Sequence, residues 1–199
     1  MAVSIGITGG IGSGKSVVSH LLRVMNIPVY ISDIASKQLT VCHPDIRAKL
    51  SALVGPSVYV GHELNKPLLA DYMFGHPDHL QAVNAIIHPR VRDDYRDWAC
   101  RHAAAPVIAL ESAILIEAGF AGEVDSIVMV YAPEEVRIAR AMQRDHAPRD
   151  LVERRVRSQM SDDVKRLRAD YVIDNGGTLP LVPQVLSLLN KCSNKQTSC

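Results

Sequence analysis

The sequence predicts an α/β fold: a parallel sheet of five strands with helices on both faces. Three observations carry this expectation. Residues 9–16 read Gly9-Gly10-Ile11-Gly12-Ser13-Gly14-Lys15-Ser16, a complete G-x-x-x-x-G-K-S/T phosphate-binding loop. An apolar run at 3–7 precedes the loop, and Val17, Val18, Leu21, Leu22 and Met25 follow at helical spacing, so it joins a buried strand to a helix. Four further runs rich in strand formers, at 28–32, 107–110, 126–131 and 171–173, alternate with helical stretches. Near-continuous apolar strands separated by helices indicate a parallel sheet covered on both sides.

The first strand delivers the loop. Its glycines allow the backbone to wrap a phosphate with N–H groups, and the following helix N-terminus adds partial positive charge. Gly10, Gly12, Ser13, Gly14, Lys15, Ser16 and Val17 are therefore the expected ATP-phosphate residues. Lys15 reaches the β- and γ-phosphates and is a catalytic candidate, while the Ser16 hydroxyl suits Mg²⁺.

The second strand ends beside Asp33. Polar groups at the carboxyl ends of parallel strands line the ligand crevice, and here those ends offer the loop, Asp33, Glu111 and Asp174-Asn175. A carboxylate at Asp33 can take the proton of a hydroxyl nucleophile in an in-line phosphoryl transfer. The competing expectation is a cap for a helix beginning near Ile34. Glu111, after the third strand, can hold Mg²⁺ directly or through water, or serve as a cap or salt-bridge partner.

Strands two and three lie about 75 residues apart, far beyond one crossover. Residues 34–104 are therefore expected to form an inserted, mostly helical lobe, with Pro44, Pro56, Pro67, Pro77 and Pro89 as breaks and Leu64-Asn65-Lys66-Pro67 as a helix start. The nucleotide-binding core then comprises 1–33 and 105–190. His88-Pro89, with Arg92 nearby, reads on its own as a packed turn. The polar stretch 191–199 is expected to be a flexible tail.

Arg137, Arg140 and Arg144 share one helical face. After Pro148, a second helix carries Arg149, Arg154, Arg155 and Arg157, with Val152, Val156 and Met160 on its apolar side. Such a pair of helices makes a lid, at about 140–165, that can close over ATP and neutralise the transferring phosphoryl group. Arg140 and Arg144 are the two candidates singled out. The alternative is a solvated face paired with Glu134, Glu135, Asp145 and Glu153.

Composition narrows the class. A net charge of +1 and the lack of basic blocks with interleaved aromatics speak against nucleic acid as a partner. No signal peptide and no run of 18 apolar residues is apparent, so a cytoplasmic protein away from membranes is expected. The 4 cysteines are scattered and the 8 histidines form no ligand pattern, which points to free thiols. The absence of D-x-x-G after a strand and of N/T-K-x-D argues for a small-molecule kinase rather than a GTPase.

Together these motifs resemble a known family. ITGGIGSGKS at 7–16 is joined by Asp33 two residues past a short strand, Leu64-Asn65-Lys66 with Leu69, and Ile87-His88-Pro89. An Arg144-Asp145 lid helix, Gln159 and the stretch 169–176 complete the set. From residue 5 to about 189 the chain resembles bacterial dephospho-coenzyme A kinase. The resemblance implies a P-loop kinase fold with an acceptor lobe and lid, and ATP- and Mg²⁺-dependent transfer to the ribose 3′-hydroxyl of dephospho-coenzyme A. It also implies that Asp33 is the base, Arg140 meets the ATP phosphates, Asn175 lies beside the ATP base, and His88 and Arg92 serve the acceptor. A monomer or weak homo-oligomer is expected. Another small hydroxyl or nucleoside monophosphate as acceptor is the alternative, and a nucleotide-binding regulatory module is a further one. Two positions depart from the family pattern: Ile31 stands where many members have the first Asp of Asp-Ala-Asp, and Ala113 replaces a proline.

Overall fold

The computed structural model describes residues 2–196. In chain order its elements are β1 (Val3–Thr8), α1 (Lys15–Val24), β2 (Val29–Ile31), α2 (Ser32–Cys42), α3 (Pro44–Val54) and a 3-10 turn (Pro56–Val58). A short hairpin, β3 (Tyr59–Val60) and β4 (Glu63–Leu64), leads to α4 (Lys66–Met73) and α5 (Pro77–Arg101). Then come β5 (Val107–Glu111), β6 (Ser126–Tyr131), α6 (Glu134–Asp145), α7 (Arg149–Arg157), α8 (Asp162–Arg168), β7 (Tyr171–Asp174) and α9 (Leu181–Gln196).

Five strands form one sheet in the order β2-β5-β1-β6-β7, with β1 parallel to both β5 and β6, and β6 parallel to β7. The expected parallel sheet is present. Ile5 faces Ala109 on one side and Ser126 on the other, which fixes the register of the three central strands. Successive side chains of a strand point to opposite faces, and the two faces are covered differently. Ile5, Ile7, Val107, Ala109, Val128 and Val130 pack with Val18 and Leu22 of α1 and Val185 and Leu188 of α9. On the other face a Cβ at Gly6 would press on Leu115 and Val124, so the chain after β5 lies close against the sheet there.

The chain forms two compact units, Met1–Tyr30 with Ala99–Cys199, and Ile31–Trp98. In the second unit α5 buries Val83, Ile87, Val91 and Tyr95, a stripe at four-residue spacing. Arg47 ties the hairpin to its neighbours by donating to the carbonyls of Val41, Gly61 and His62 while stacking over Tyr59. Asn65 caps α4, its side chain accepting from the Leu68 N–H at 3.2 Å, as the helix-start signal suggested.

Two expectations change here. The Ile87-His88-Pro89 turn is not a turn: α5 runs through Pro89 without a break. Proline costs a helix one hydrogen bond, and the buried stripe on both sides of Pro89 outweighs that loss. The segment from Lys191 is helical as far as Gln196, with Cys192 1% exposed and Lys191 over the Tyr171 ring, while 197–199 lie outside the described residues. Cys42, Cys100 and Cys192 are free thiols.

Candidate active site

The phosphate loop leaves β1 at its carboxyl end and enters α1 at Lys15. Gly12 and Gly14 have φ of 77° and 95°, conformations that side chains rarely adopt, so the motif glycine at position 14 is required by the backbone. Ser13 N–H bonds back to the Gly10 carbonyl at 3.1 Å and closes the turn. Lys15 Nζ donates to the carbonyls of Gly9 and Gly10 at 2.9 and 3.2 Å, folded over the loop it serves.

The structure brings two distant candidates onto this loop. Asn175 follows β7, and its side chain donates to the Ser13 carbonyl at 2.7 Å, lying where a Cβ at Gly14 would be. Arg140 Nη1 donates to the Asn175 carbonyl at 2.9 Å, so loop, β7 end and α6 are joined in series. Arg140 has no carboxylate partner among the described residues.

The other arginines divide sharply. Arg144 is 61% exposed and holds its neighbour Asp145 at 2.8 Å. Asp145 also accepts from Arg155, and the Arg144 guanidinium beside it holds its carboxyl below the usual range. Arg149 clasps α6 to α7 through Glu135 at 2.6 Å and Glu153 at 2.7 Å, and its own pKa is raised by those carboxylates. Arg154 and Arg157 pair with Asp150 and Glu153. Glu135, Asp145 and Glu153 are partners that the solvated-face alternative names, and Asp150 is one that it does not. Met160 is not on the apolar side of this helix, because α7 ends at Arg157.

Arg137 is the residue that spacing alone could not single out. Its side chain is 4% exposed, pairs with Asp162 at 2.8 Å, and donates to the carbonyls of Ala132 and Ile11. Burial pushes the Asp162 carboxyl up despite the guanidinium beside it. Gln159 accepts from the Ile11 N–H at 2.9 Å. An open cleft of about 570 Å³ lies along these groups, lined by Gly10, Tyr131, Arg137, Arg149, Gln159 and Asp162 among others. Lys165 carries no signal in the sequence. It is wholly buried, pairing with Glu117 at 3.0 Å and donating to the Ala113 carbonyl at 2.9 Å, which anchors the segment carrying the Ala113 departure.

Glu111 ends β5 with one carboxylate oxygen buried and without a hydrogen-bond partner, as are the hydroxyls of Thr8 and Ser13. Ser16 and Val17 are exposed at the start of α1. Asp33 belongs to the second unit, exposed in the first turn of α2. The N-cap of that helix is Ile31, so Asp33 does not cap it. His88 and Arg92 stand one turn apart on α5, and burial, with the Arg92 charge second, lowers the His88 pKa.

A glycine loop at the end of the central strand of this parallel sheet, with helices on both faces, defines a P-loop phosphotransferase. The sequence profile of the CoaE family, dephospho-CoA kinase, matches residues 3–180. A dephospho-CoA kinase of Bacteroides fragilis is 56% identical over 189 residues, 95% of this chain and 92% of its own. One of Porphyromonas gingivalis is 39% identical over 195 residues, 98% of this chain and 96% of its own. A Thermus thermophilus protein of known crystal structure superposes with a TM-score of 0.84 at 35% identity, covering 96% of this chain and 97% of that one. The chain belongs to the dephospho-CoA kinase family, and its activity is ATP-dependent phosphorylation of dephospho-CoA, the final step of coenzyme A biosynthesis.

Proposed function

We propose that the γ-phosphoryl group of ATP passes in line to the ribose 3′-hydroxyl of dephospho-CoA, with Asp33 accepting the hydroxyl proton. The observation that carries the nucleotide half is the Arg140–Asn175–Ser13 chain of hydrogen bonds, which ties the lid guanidinium to the phosphate loop. Loop N–H groups and Lys15 hold the β- and γ-phosphates. Arg140 offers charge to the transferring group, since no carboxylate among the described residues already neutralises it. Asn175 stands beside the ATP base, and His88 and Arg92 bind the acceptor from α5.

Ser16 and Glu111 would hold a Mg²⁺ ion, whose chemistry there is neutralisation of charge on the phosphates. The partnerless buried oxygen of Glu111 fits that duty, because an orphaned carboxylate oxygen is costly unless a cation or donor meets it.

The direct test is a dephospho-CoA analogue lacking the 3′-hydroxyl. It should bind and show no turnover, whereas a 2′-deoxy analogue should be phosphorylated. Turnover of the 3′-deoxy compound would move the reaction to another hydroxyl. We also infer a cytoplasmic monomer or weak homo-oligomer. No helix of the described residues is long and apolar enough to cross a membrane, which supports the first part. Light scattering across a concentration series tests the second.

A further inference from the structure

The phosphate-loop motif demands glycine at positions 9 and 14 and leaves 10–13 open. Position 10 is glycine all the same, and its backbone does not require it, because its φ is not positive. Space requires it. A Cβ on Gly10 would collide with Arg137 Nη1, would lie 2.9 Å from Cζ, and would stand 3.3 Å from the Asp162 carboxylate. A second observation comes from hydrogen bonding rather than space. The Ile11 peptide is gripped on both sides, its N–H by Gln159 at 2.9 Å and its carbonyl by Arg137 at 3.4 Å. A third is apolar: the Ile11 side chain packs against the cluster of Ile138, Ala141 and Val152 on α6 and α7.

We propose that Arg137, held by Asp162, is a positioning residue for the phosphate loop. Its guanidinium fills the place of a side chain at position 10 and, with Gln159, fixes the Ile11 peptide so that the loop N–H groups are set for the ATP phosphates. Arg137 does not touch phosphate itself. A free glycine-rich loop must be ordered each time nucleotide binds, and a loop ordered beforehand avoids that cost. The proposal rests on the reading of residues 9–16 as the ATP-phosphate site.

The test is a cycle on the full chain, read by calorimetric affinity for a non-hydrolysable ATP analogue and by KM for both substrates. Gly10→Ala is made in the native chain and in an Arg137→Met/Asp162→Asn background, where the guanidinium is gone, Asp162 carries no charge, and only the exposed Glu134 loses a 3.6 Å partner. In the native chain it should weaken analogue binding roughly tenfold or more, the scale expected when a binding loop is displaced. The background should show a similar loss in ATP affinity, with KM for dephospho-CoA changed less than about threefold. Gly10→Ala should then add less than about twofold there. An equal cost of Gly10→Ala in both chains, native affinity in the background, or equal rises in both KM values would overturn the proposal.

Should the background fail to fold, Arg137→Lys keeps a charge opposite Asp162. It should still lose ATP affinity, since an ammonium cannot fork to Ile11 and Ala132, and native affinity in it would count against the clamp. Lys15→Ala separates the two readings. If it binds the analogue as the native chain does, the loop is not the phosphate site. If it loses binding while the cycle shows no coupling, the clamp alone is wrong.

Discussion

A guanidinium is worth most to a transferring phosphoryl group when no carboxylate already holds it. Of the three arginines on α6, Arg137 is paired with Asp162 and Arg144 with Asp145, and only Arg140 is left to a carbonyl among the described residues. Arg140→Ala should therefore lower kcat by roughly 10²-fold, the usual loss of one electrostatic donor. Arg144→Ala should change it by less than about threefold, since its charge is already spent on an exposed neighbour. Steady-state rates of the two variants decide this, and equal losses would return Arg144 to the phosphate site. Asp33→Asn should cut turnover by roughly 10²-fold or more with ATP affinity nearly unchanged, the signature of a lost general base. The same type of side chain thus has three fates on one helix. Their spacing was legible in the sequence; the partners were not, because Asp162 lies 25 positions beyond Arg137.

At the scale of elements, the pair of buried Lys165 and partly exposed Glu117 joins α8 to the segment after β5. Lys165→Met should destabilise the chain by roughly 1–3 kcal/mol, because it leaves the Ala113 carbonyl without its donor and Glu117, still bonded by the Met160 N–H, without its cation. Arg154→Ala, which breaks a pair exposed on both sides, should leave the unfolding midpoint unchanged. Denaturant titrations of both variants make the comparison, and a midpoint unmoved by Lys165→Met would show the pair to be dispensable. The end of α6 offers the opposite sign. His146 caps it with φ 49°, a left-handed conformation that costs a residue with a Cβ about 1 kcal/mol. His146→Gly should raise the melting temperature slightly, and a fall would mean that the imidazole makes up for the strain. The helices themselves were readable from their apolar stripes and caps. Pro89 was not, since a proline reads as a break until the packing of Ile87 and Val91 on either side is known.

For the whole molecule, protonation of His88 couples pH to stability. Its pKa is lowered from the ordinary 6.5 by burial, and secondarily by Arg92. The folded chain then binds fewer protons than the unfolded chain in the window just below 6.5, so stability rises with pH through that window and is fully present above it. Acidification below 6.5 should cost stability, and His88→Gln should flatten that part of the profile. Parallel profiles for the two chains between pH 7 and 5 would exclude this coupling.

Strand, glycine loop and helix follow one another within the first 25 residues, and strand formers recur at fixed points down the chain, so the sequence by itself determined the sheet, the phosphate loop and the family. These depend on local periodicity and on motif chemistry, which act between near neighbours. Tertiary structure decided which arginine stays available, why position 10 is glycine, and that Lys165 is a buried anchor. Each of those facts is a contact across the fold: Ile11 with Gln159, Ser13 with Asn175, Ala113 with Lys165. Burial and pairing set what a charged side chain can do, and both are settled only when distant segments pack together.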